Sequence, residues 1–333
     1  MFRWLLIFLI LWCAPLNGAS ALEPSSVGPA YPEEAGILWR DGKSAFGSSN
    51  FDLAIQKLTR LVDRYPGYDG YLEAHYLLGK SLAETHKHQK ALEPLKYYIE
   101  ASIKAKKEHE IRMARICLAR SLIELKKFSE AYLVTKEIEK NSEDAEMLLI
   151  RTQALLGLNH DERAERTLHS ATTLLRGQKA ATEILHLRGE ASWLELKLKV
   201  RNCERPLDTS IKATLPAAEG LLLDNLAKRG TCLLETMTIF YRSFDIAKLK
   251  WIQSMERDLE GAFTRYAKTC WQHMKQQELR PAFKKECVAK YGSALDLTMS
   301  WKKELSKSKI SASLKDLISH LEKVKTEVDS VKQ

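Results

Sequence analysis

An alanine recurs at intervals of 33 to 40 residues in the first half of the chain, and this periodicity restricts the fold more than any other feature. Ala54, Ala91, Ala131 and Ala164 are separated by 37, 40 and 33 residues. Such a spacing fits a repeated helix–turn–helix unit, because one unit cannot bury its apolar face alone and must stack on its neighbours. The sequence therefore predicts an all-α array of helical hairpins rather than a compact enzyme domain.

The first three units also have a small residue in the first helix and an aromatic residue or a histidine three positions before the alanine. The small residues are Gly42, Gly79 and Ala119, and the residues before the alanines are Phe51, His88 and Phe128. The fourth unit departs from both features, with Thr152 and Asp161 at these positions. A small residue at a helix crossing lets two helices approach closely, and the aromatic ring fills the space beside them. Pro66, in Arg64-Tyr65-Pro66, ends the first unit because proline cannot continue a helix.

This pattern, together with the segment Tyr76-Leu77-Leu78-Gly79, resembles the tetratricopeptide repeat (TPR), most closely that of exported bacterial cell-envelope proteins. The resemblance covers about residues 37–175 and implies stacked helical hairpins with a concave protein-binding groove. We expect TPR-like repeats over residues 37–201, in which the helix at 180–200 is a fifth, half-formed unit or a cap.

The amino terminus has the features of a secretory signal. Arg3 is followed by an apolar run over residues 4–12 and by Ala19-Ser20-Ala21, so residues 1–21 are predicted to be a signal peptide. The alternatives are an uncleaved anchor, for which the run is short against about 30 Å of hydrocarbon, and lipid attachment at Cys13. Residues 22–36 contain three prolines and are expected to form a linker. The mature protein is expected to be periplasmic or secreted.

The repeat is no longer visible after Arg201, and residues 202–303 are predicted to form a separate helical domain. Apolar residues at steps of three and four predict one long helix from Thr231 to Cys270. Arg280-Pro281 is expected to end that helix and turn the chain back.

The last segment, residues 304–333, is predicted to be an amphipathic helix. Its apolar residues alternate steps of four and three, as in a heptad seam: Ile310, Leu314, Leu317, Leu321, Val324, Val328 and Val331. Two alternatives remain open for this seam, which are self-association through residues 310–331 and folding back on the helical domain.

Four cysteines in the second half can form disulfides in an exported protein. The midpoint between Cys270 and Cys287 falls between Glu278 and Leu279, just before the predicted turn at Arg280-Pro281, so the two cysteines are expected to face one another in an antiparallel hairpin. Cys203 and Cys232 remain as the second pair, although sequence alone does not exclude the other connectivities. Cys117 is interpreted as a small apolar filler, and no close Cys-x-x-Cys pair indicates a metal site.

The TPR resemblance implies that three positions of each first helix line the concave groove. The candidate partner-binding residues are Trp39, Lys43, Phe46, Tyr76, Lys80, Arg120 and Gln153. Lys43, Lys80 and Arg120 place a cation at the same position of three neighbouring helices. Cations beside aromatic rings suit an acidic peptide, since the cations bind carboxylates and the rings bury side chains.

The sequence carries few signs of catalysis. It has no His-Glu-x-x-His, Gly-x-Ser-x-Gly or phosphate-binding glycine loop, so no metal, cofactor or enzyme activity is expected. Net charge is +1 over residues 22–200 (27 basic, 26 acidic) and +7 over residues 201–333 (24 basic, 17 acidic). A basic surface outside the cytoplasm favours an anionic membrane or an acidic protein over nucleic acid.

These observations predict an exported scaffold or adaptor that binds a protein or peptide in the groove of its repeats, in bacterial cell-envelope assembly. One alternative is a peripheral envelope protein that binds an anionic membrane surface through its basic carboxy-terminal half. A cell-wall hydrolase is the second alternative, although the acidic residues of the last part of the chain alternate with lysines on helix faces and suggest no buried general acid.

Overall fold

The computed structural model describes residues 33–105, 108–136, 144–205, 215–247, 249–274, 280–304 and 311–330. Within these ranges the chain forms thirteen α-helices and one 3₁₀ turn, and no strand. The first nine helices are α1 (Glu33–Gly47), α2 (Phe51–Arg64), α3 (Tyr71–Glu84), α4 (His88–Lys104), α5 (Glu108–Glu124), α6 (Phe128–Lys136), α7 (Ala145–Gly157), α8 (Asp161–Arg176) and α9 (Thr182–Glu204). They are followed by α10 (Leu215–Arg242), the 3₁₀ turn Ser243–Asp245, α11 (Leu249–Met274), α12 (Arg280–Glu304) and α13 (Ser311–Asp329). The predicted all-α fold is confirmed.

The boundary at the amino terminus differs from the expected one. The predicted signal peptide at residues 1–21 lies outside the described residues, as does most of the predicted linker. Residues 33–36 were expected in that linker but belong to α1. Glu33 and Glu34 occupy the first turn of α1, where carboxylates are favoured by the helix dipole.

The turns inside the four helical pairs α1–α2, α3–α4, α5–α6 and α7–α8 have the same geometry. Ser49, His86, Lys126 and Asn159 have φ angles of 59°, 58°, 59° and 60°. The residue after each one donates its N–H to the carbonyl five residues earlier, at 2.8 or 2.9 Å. This is the hydrogen bond of a Schellman motif, which closes the end of a helix. The four residues are separated by 37, 40 and 33 positions, as the alanines are.

The alanines and small residues that recur in the sequence form the crossings between paired helices. Ala54, Ala91, Ala131 and Ala164 are all fully buried. A methyl group on Gly79 would lie 2.6 Å from Leu95 Cγ, and one on Gly42 would lie 2.7 Å from Leu58 Cδ2. Side chains larger than hydrogen therefore do not fit at these two positions without displacing a neighbouring helix.

The nine helices pack in sequence, each one on the next. In addition, the odd-numbered helices contact one another, α1 with α3, α3 with α5, α5 with α7 and α7 with α9. Helical pairs that stack through their first helices are compatible with a repeat solenoid.

The second half of the chain has its own apolar core. The expectation of one helix from Thr231 to Cys270 is wrong, because α10 and α11 are separate and the 3₁₀ turn lies between them. The apolar period continues across this break because both helices and the turn face the same core, which includes Phe240 of α10, Phe244 of the turn and Trp251 of α11. Pro281 was expected to end a helix but occupies the second position of α12, where its missing N–H removes no hydrogen bond.

Helix α13 folds back onto α11 and α12. The described residues of its predicted seam are all buried in the second core: Leu314, Leu317, Leu321, Val324 and Val328. Ile310 and Val331 lie outside the residues whose side chains are described. Of the two alternatives for the seam, folding back is the one observed, and it leaves these five side chains no surface for a coiled coil.

Both predicted cysteine pairs lie at disulfide distance. The sulfur atoms of Cys203 (α9) and Cys232 (α10) are 2.02 Å apart, and those of Cys270 (α11) and Cys287 (α12) are 2.07 Å apart. The first pair joins the end of the array to the second half of the chain, and the second pair joins the two helices of a hairpin. Two such pairs indicate an oxidising environment. Cys117 is a free cysteine.

Candidate partner-binding groove

The predicted groove residues of the first two units form a continuous surface on α1 and α3. Lys43 is exposed; its Nζ lies 5.0 Å from the centroid of the Trp39 ring and donates to Glu73 Oε1 at 3.0 Å. Lys80, from the next unit, places its Nζ 5.5 Å from the centroid of Phe46. Each cation therefore lies over an aromatic ring, at a distance suited to a cation–π interaction.

The aromatic residues of this surface are partly engaged in packing. Trp39 is half-buried against Gly70, at the start of α3, where a methyl group would lie 2.8 Å from its ring. Tyr76 is half-buried, and its ring centroid lies 5.1 Å from that of Tyr98. Burial raises the pKa of the Tyr76 hydroxyl, so it is a neutral hydrogen-bonding group at any physiological pH.

Arg120 differs from the other two predicted cations because its guanidinium is paired with two carboxylates, one of which is fully buried. Its guanidinium donates to Glu146 Oε1 at 2.9 and 3.1 Å and to the two carboxylate oxygens of Glu190 at 3.1 and 3.3 Å. Burial alone would lower the pKa of Arg120, but Glu190 and Glu146 outweigh that effect and raise it. The structure therefore gives Arg120 an internal partner in place of the free position expected for it.

Gln153 belongs to the same group of polar contacts. Its Nε2 donates to Glu190 Oε1 at 2.6 Å. Glu190 is fully buried, so its carboxylate is held by Arg120 and Gln153 in place of water. Sequence reasoning missed Glu190, although it follows Gln153 by 37 residues, which is a spacing of the repeat.

The fourth unit has Asp161 in place of an aromatic residue, and the structure explains this exception. Asp161 accepts hydrogen bonds from Arg201 and Arg205 at 3.0 Å each. Burial would raise its pKa, but the hydrogen bonds from Arg205 and Arg201 outweigh it and hold the pKa below the ordinary value. Arg201 also donates to the carbonyl of Leu156 at the end of α7. An ion pair to α9 therefore replaces the aromatic contact.

Two cavities lie along α5, α7 and α9. One of about 220 Å³ is lined by Ile123, Gln153, Leu156, Trp193 and Lys197, and it lies towards the carboxy-terminal ends of α5 and α7. Lys197 Nζ lies 4.7 Å from the centroid of Trp193, again a cation over a ring. The other, about 490 Å³, lies at their amino-terminal ends and includes Met113, Glu183 and Leu187.

The remaining polar candidates have little catalytic character. Burial raises the pKa of the Cys117 thiol to about 11, so the thiol is protonated and a poor nucleophile at neutral pH. His86 and His88 lie at the surface turn of the second unit. Among the described residues, histidine, cysteine and carboxylate side chains do not gather in threes at distances suited to a metal ion.

Comparison with known proteins gives no family for the chain, since no family model matches it and no curated protein matches it either. Across the described helices, none offers the continuous apolar length that a bilayer crossing needs.

Proposed function

We propose that this chain is an exported scaffold or adaptor with TPR-type repeats, and that it binds an acidic protein or peptide segment along α1 and α3. The observation that carries the proposal is the arrangement of Lys43 over Trp39 and Lys80 over Phe46 on neighbouring helices. The repeat assignment is supported by the identical turns at Ser49, His86, Lys126 and Asn159.

The chemistry of this surface favours a peptide with alternating carboxylate and apolar side chains. A lysine held over a ring keeps its charge directed to solvent while its aliphatic stem covers apolar surface. A carboxylate that approaches Lys43 competes with Glu73, and exposed ion pairs of this kind contribute at most about 1 kcal/mol. The half-buried rings of Trp39 and Tyr76 supply apolar contact area between the cations.

An anionic membrane surface is the other partner that the charge distribution suggests. Its binding would use lysines of α11 to α13, which are far along the chain from the groove, and it would not depend on aromatic rings. Several basic residues of that half are paired within the chain, including Lys284 with Asp329 and Lys290 with Glu286. Lys43 is likewise paired with Glu73, so the groove is preferred on other grounds, namely that Lys43 and Lys80 lie over aromatic rings on neighbouring helices.

The test is binding of a fluorescein-labelled synthetic peptide of alternating glutamate and leucine, followed by fluorescence anisotropy. We expect the double variant Lys43→Gln/Lys80→Gln to bind about tenfold more weakly, because it loses two exposed charge pairs of about 0.7 kcal/mol each. The matched control Lys90→Gln/Lys136→Gln removes the same charge from exposed positions of the second helices α4 and α6.

Equal weakening in both double variants would mean that the peptide responds to net charge alone, and the proposal would fail. Binding to phosphatidylglycerol vesicles that is lost at high salt and unaffected by Lys43→Gln/Lys80→Gln would favour the membrane alternative.

A further inference from the structure

The groove position held by Lys43 continues into a fifth helix. Lys43, Lys80, Arg120 and Gln153 each follow one of the small residues that recur in the first helices. Glu190 in α9 follows Gly189, which lies 37 residues after Thr152. The fifth residue of the series is therefore a carboxylate, whereas the first three are cations.

Helix α9 also repeats the packing of the earlier first helices. A methyl group on Gly189 would lie 2.7 Å from Trp251 Cδ1 and 3.1 Å from Ala247 Cα, as methyl groups on Gly42 and Gly79 would collide with α2 and α4. Glu190 thus occupies its place in the series by structure as well as by sequence position. The contacts of the Glu190 side chain can therefore be compared with those of Lys43, Lys80, Arg120 and Gln153.

The carboxylate of Glu190 reaches back to Arg120, which lies two first helices earlier in the stack. It accepts from Arg120 Nη1 at 3.3 Å and Nη2 at 3.1 Å and from Gln153 Nε2 at 2.6 Å. These are the hydrogen bonds that a partner's carboxylate would take from the same side chains. With Glu146 also on Arg120, the group carries one positive and two negative charges, or −1.

One side of Glu190 is covered by the second half of the chain, while the Arg120 side chain remains one-third exposed. Trp251 of α11 stacks on Trp193 with ring centroids 5.2 Å apart, and its Nε1 donates to His186 Nδ1 at 3.2 Å. His186 and Trp193 flank Glu190 on α9, and Glu190 has no exposed surface. The occupant of the Arg120–Gln153 position is therefore held in place.

We propose that Glu190 is an internal carboxylate that fills the Arg120–Gln153 position and restricts recognition of an acidic partner to Lys43 and Lys80. This inference depends on the proposed function, because it concerns the same groove. Stability is a weak explanation for the arrangement, since apolar residues of the same volume often stabilise a core as much as a buried ion pair does. Glu190 is thus a specificity-determining residue that sets the length of the acidic segment the groove accepts.

The variant Glu190→Gln tests the inference with the glutamate–leucine peptide as the probe. Glutamine keeps the size of the side chain and one oxygen acceptor for Arg120, but it removes one of the two carboxylate charges on the guanidinium and leaves that of Glu146. We expect the peptide to bind about tenfold more tightly, because the net charge of the group changes from −1 to 0 and a partner's carboxylate is no longer repelled at this end of the groove. The control Glu195→Gln makes the same charge change at an exposed position of the same helix and is expected to leave the affinity unchanged.

The double variant Arg120→Gln/Glu190→Gln replaces the ion pair by two amides, which hydrogen-bond to each other without charge. Its affinity is expected to equal that of the unmodified protein, because Arg120 contributes nothing to the partner while Glu190 occupies it. Circular dichroism establishes that each variant is folded. A weaker affinity in this double variant, or an unchanged affinity in folded Glu190→Gln, overturns the inference.

The same measurements separate this inference from the proposed function. If the peptide depends on Lys43 and Lys80 but not on Glu190, the groove function stands and the role of Glu190 is lost. A second outcome is that Glu190→Gln binds the peptide through Arg120 while the unmodified protein does not bind it. In that case Glu190 is an internal occupant, and the proposed role of Lys43 and Lys80 is rejected. If no variant binds, both are rejected.

Discussion

Gly79 shows how a single hydrogen atom fixes the distance between two helices. The nearest atoms to a methyl group at this position would be Leu95 Cγ at 2.6 Å and Leu95 N at 3.3 Å. The side chain and the backbone of α4 are both in the way, so rotation of Leu95 alone does not make room. The glycine is required by close approach, since its own backbone is helical.

We expect Gly79→Ala to destabilise the protein by about 1–3 kcal/mol, the usual cost of overpacking a core. Gly292→Ala in α12 is the matched control, because no atom lies within 4 Å of its methyl group. Alanine there favours the helix and is expected to stabilise by up to about 1 kcal/mol. Urea unfolding followed by circular dichroism measures the change in unfolding free energy of each variant. If both changes have the same sign, the packing argument is contradicted.

Residues whose roles come from close packing were predictable, and those whose roles come from distant partners were not. Gly79 and Ala91 are identified by their spacing, and the structure buries both. Arg120 was identified by the same spacing, but its partner Glu190 lies 70 residues away. Sequence spacing indicates which surface a side chain lines. It does not indicate whether that side chain already has a hydrogen-bond partner elsewhere in the chain.

The positions of two cysteines in the sequence predict that α11 and α12 pair as a hairpin. Cys270 and Cys287 are equidistant from the turn region, and the structure brings their sulfur atoms together. The helix limits were harder to predict, because Pro281 is compatible with both the end of one helix and the first turn of the next. The 3₁₀ turn at Ser243–Asp245 was missed because it leaves the apolar spacing intact.

Removal of this cross-link tests how far the hairpin depends on it. The double variant Cys270→Ala/Cys287→Ala opens a loop of about 18 residues, and we expect a loss of roughly 3 kcal/mol in unfolding free energy. Cys117→Ala removes a cysteine that forms no disulfide and serves as the control, with a much smaller effect expected. Urea unfolding without reductant measures both; a double variant as stable as Cys117→Ala would show that packing alone holds the hairpin.

At the scale of the whole molecule, α9 belongs to two cores at once. Leu194 and Leu198 pack in the core of the repeats, whereas Leu196 and Val200 pack in the core of the second half. A helix buried on two faces has little amphipathic periodicity, so the apolar pattern of α9 does not reveal the second core. The predicted pair Cys203–Cys232 is the sequence feature that indicates this junction. The junction is completed by Trp193, whose Nε1 donates to Asp258 Oδ2 at 2.8 Å.

Because α9 contributes to both cores, we expect the two halves to unfold together, and Trp251→Ala to separate them. Trp251 is 5% exposed and lies on α9 at Gly189, so its removal leaves a cavity at the junction and costs about 3–5 kcal/mol. Trp301, 7% exposed in the second core and stacked on Tyr241, is the control for loss of a buried tryptophan. Hydrogen exchange at increasing urea, read by mass spectrometry on peptides from α3 and α12, follows each half separately.

In Trp251→Ala, the amides of the α12 peptides should exchange at lower urea concentrations than those of the α3 peptides. In Trp301→Ala, the amides of both sets of peptides should shift together. If both sets exchange at the same urea concentration in Trp251→Ala, the contact at Gly189 does not couple the two halves.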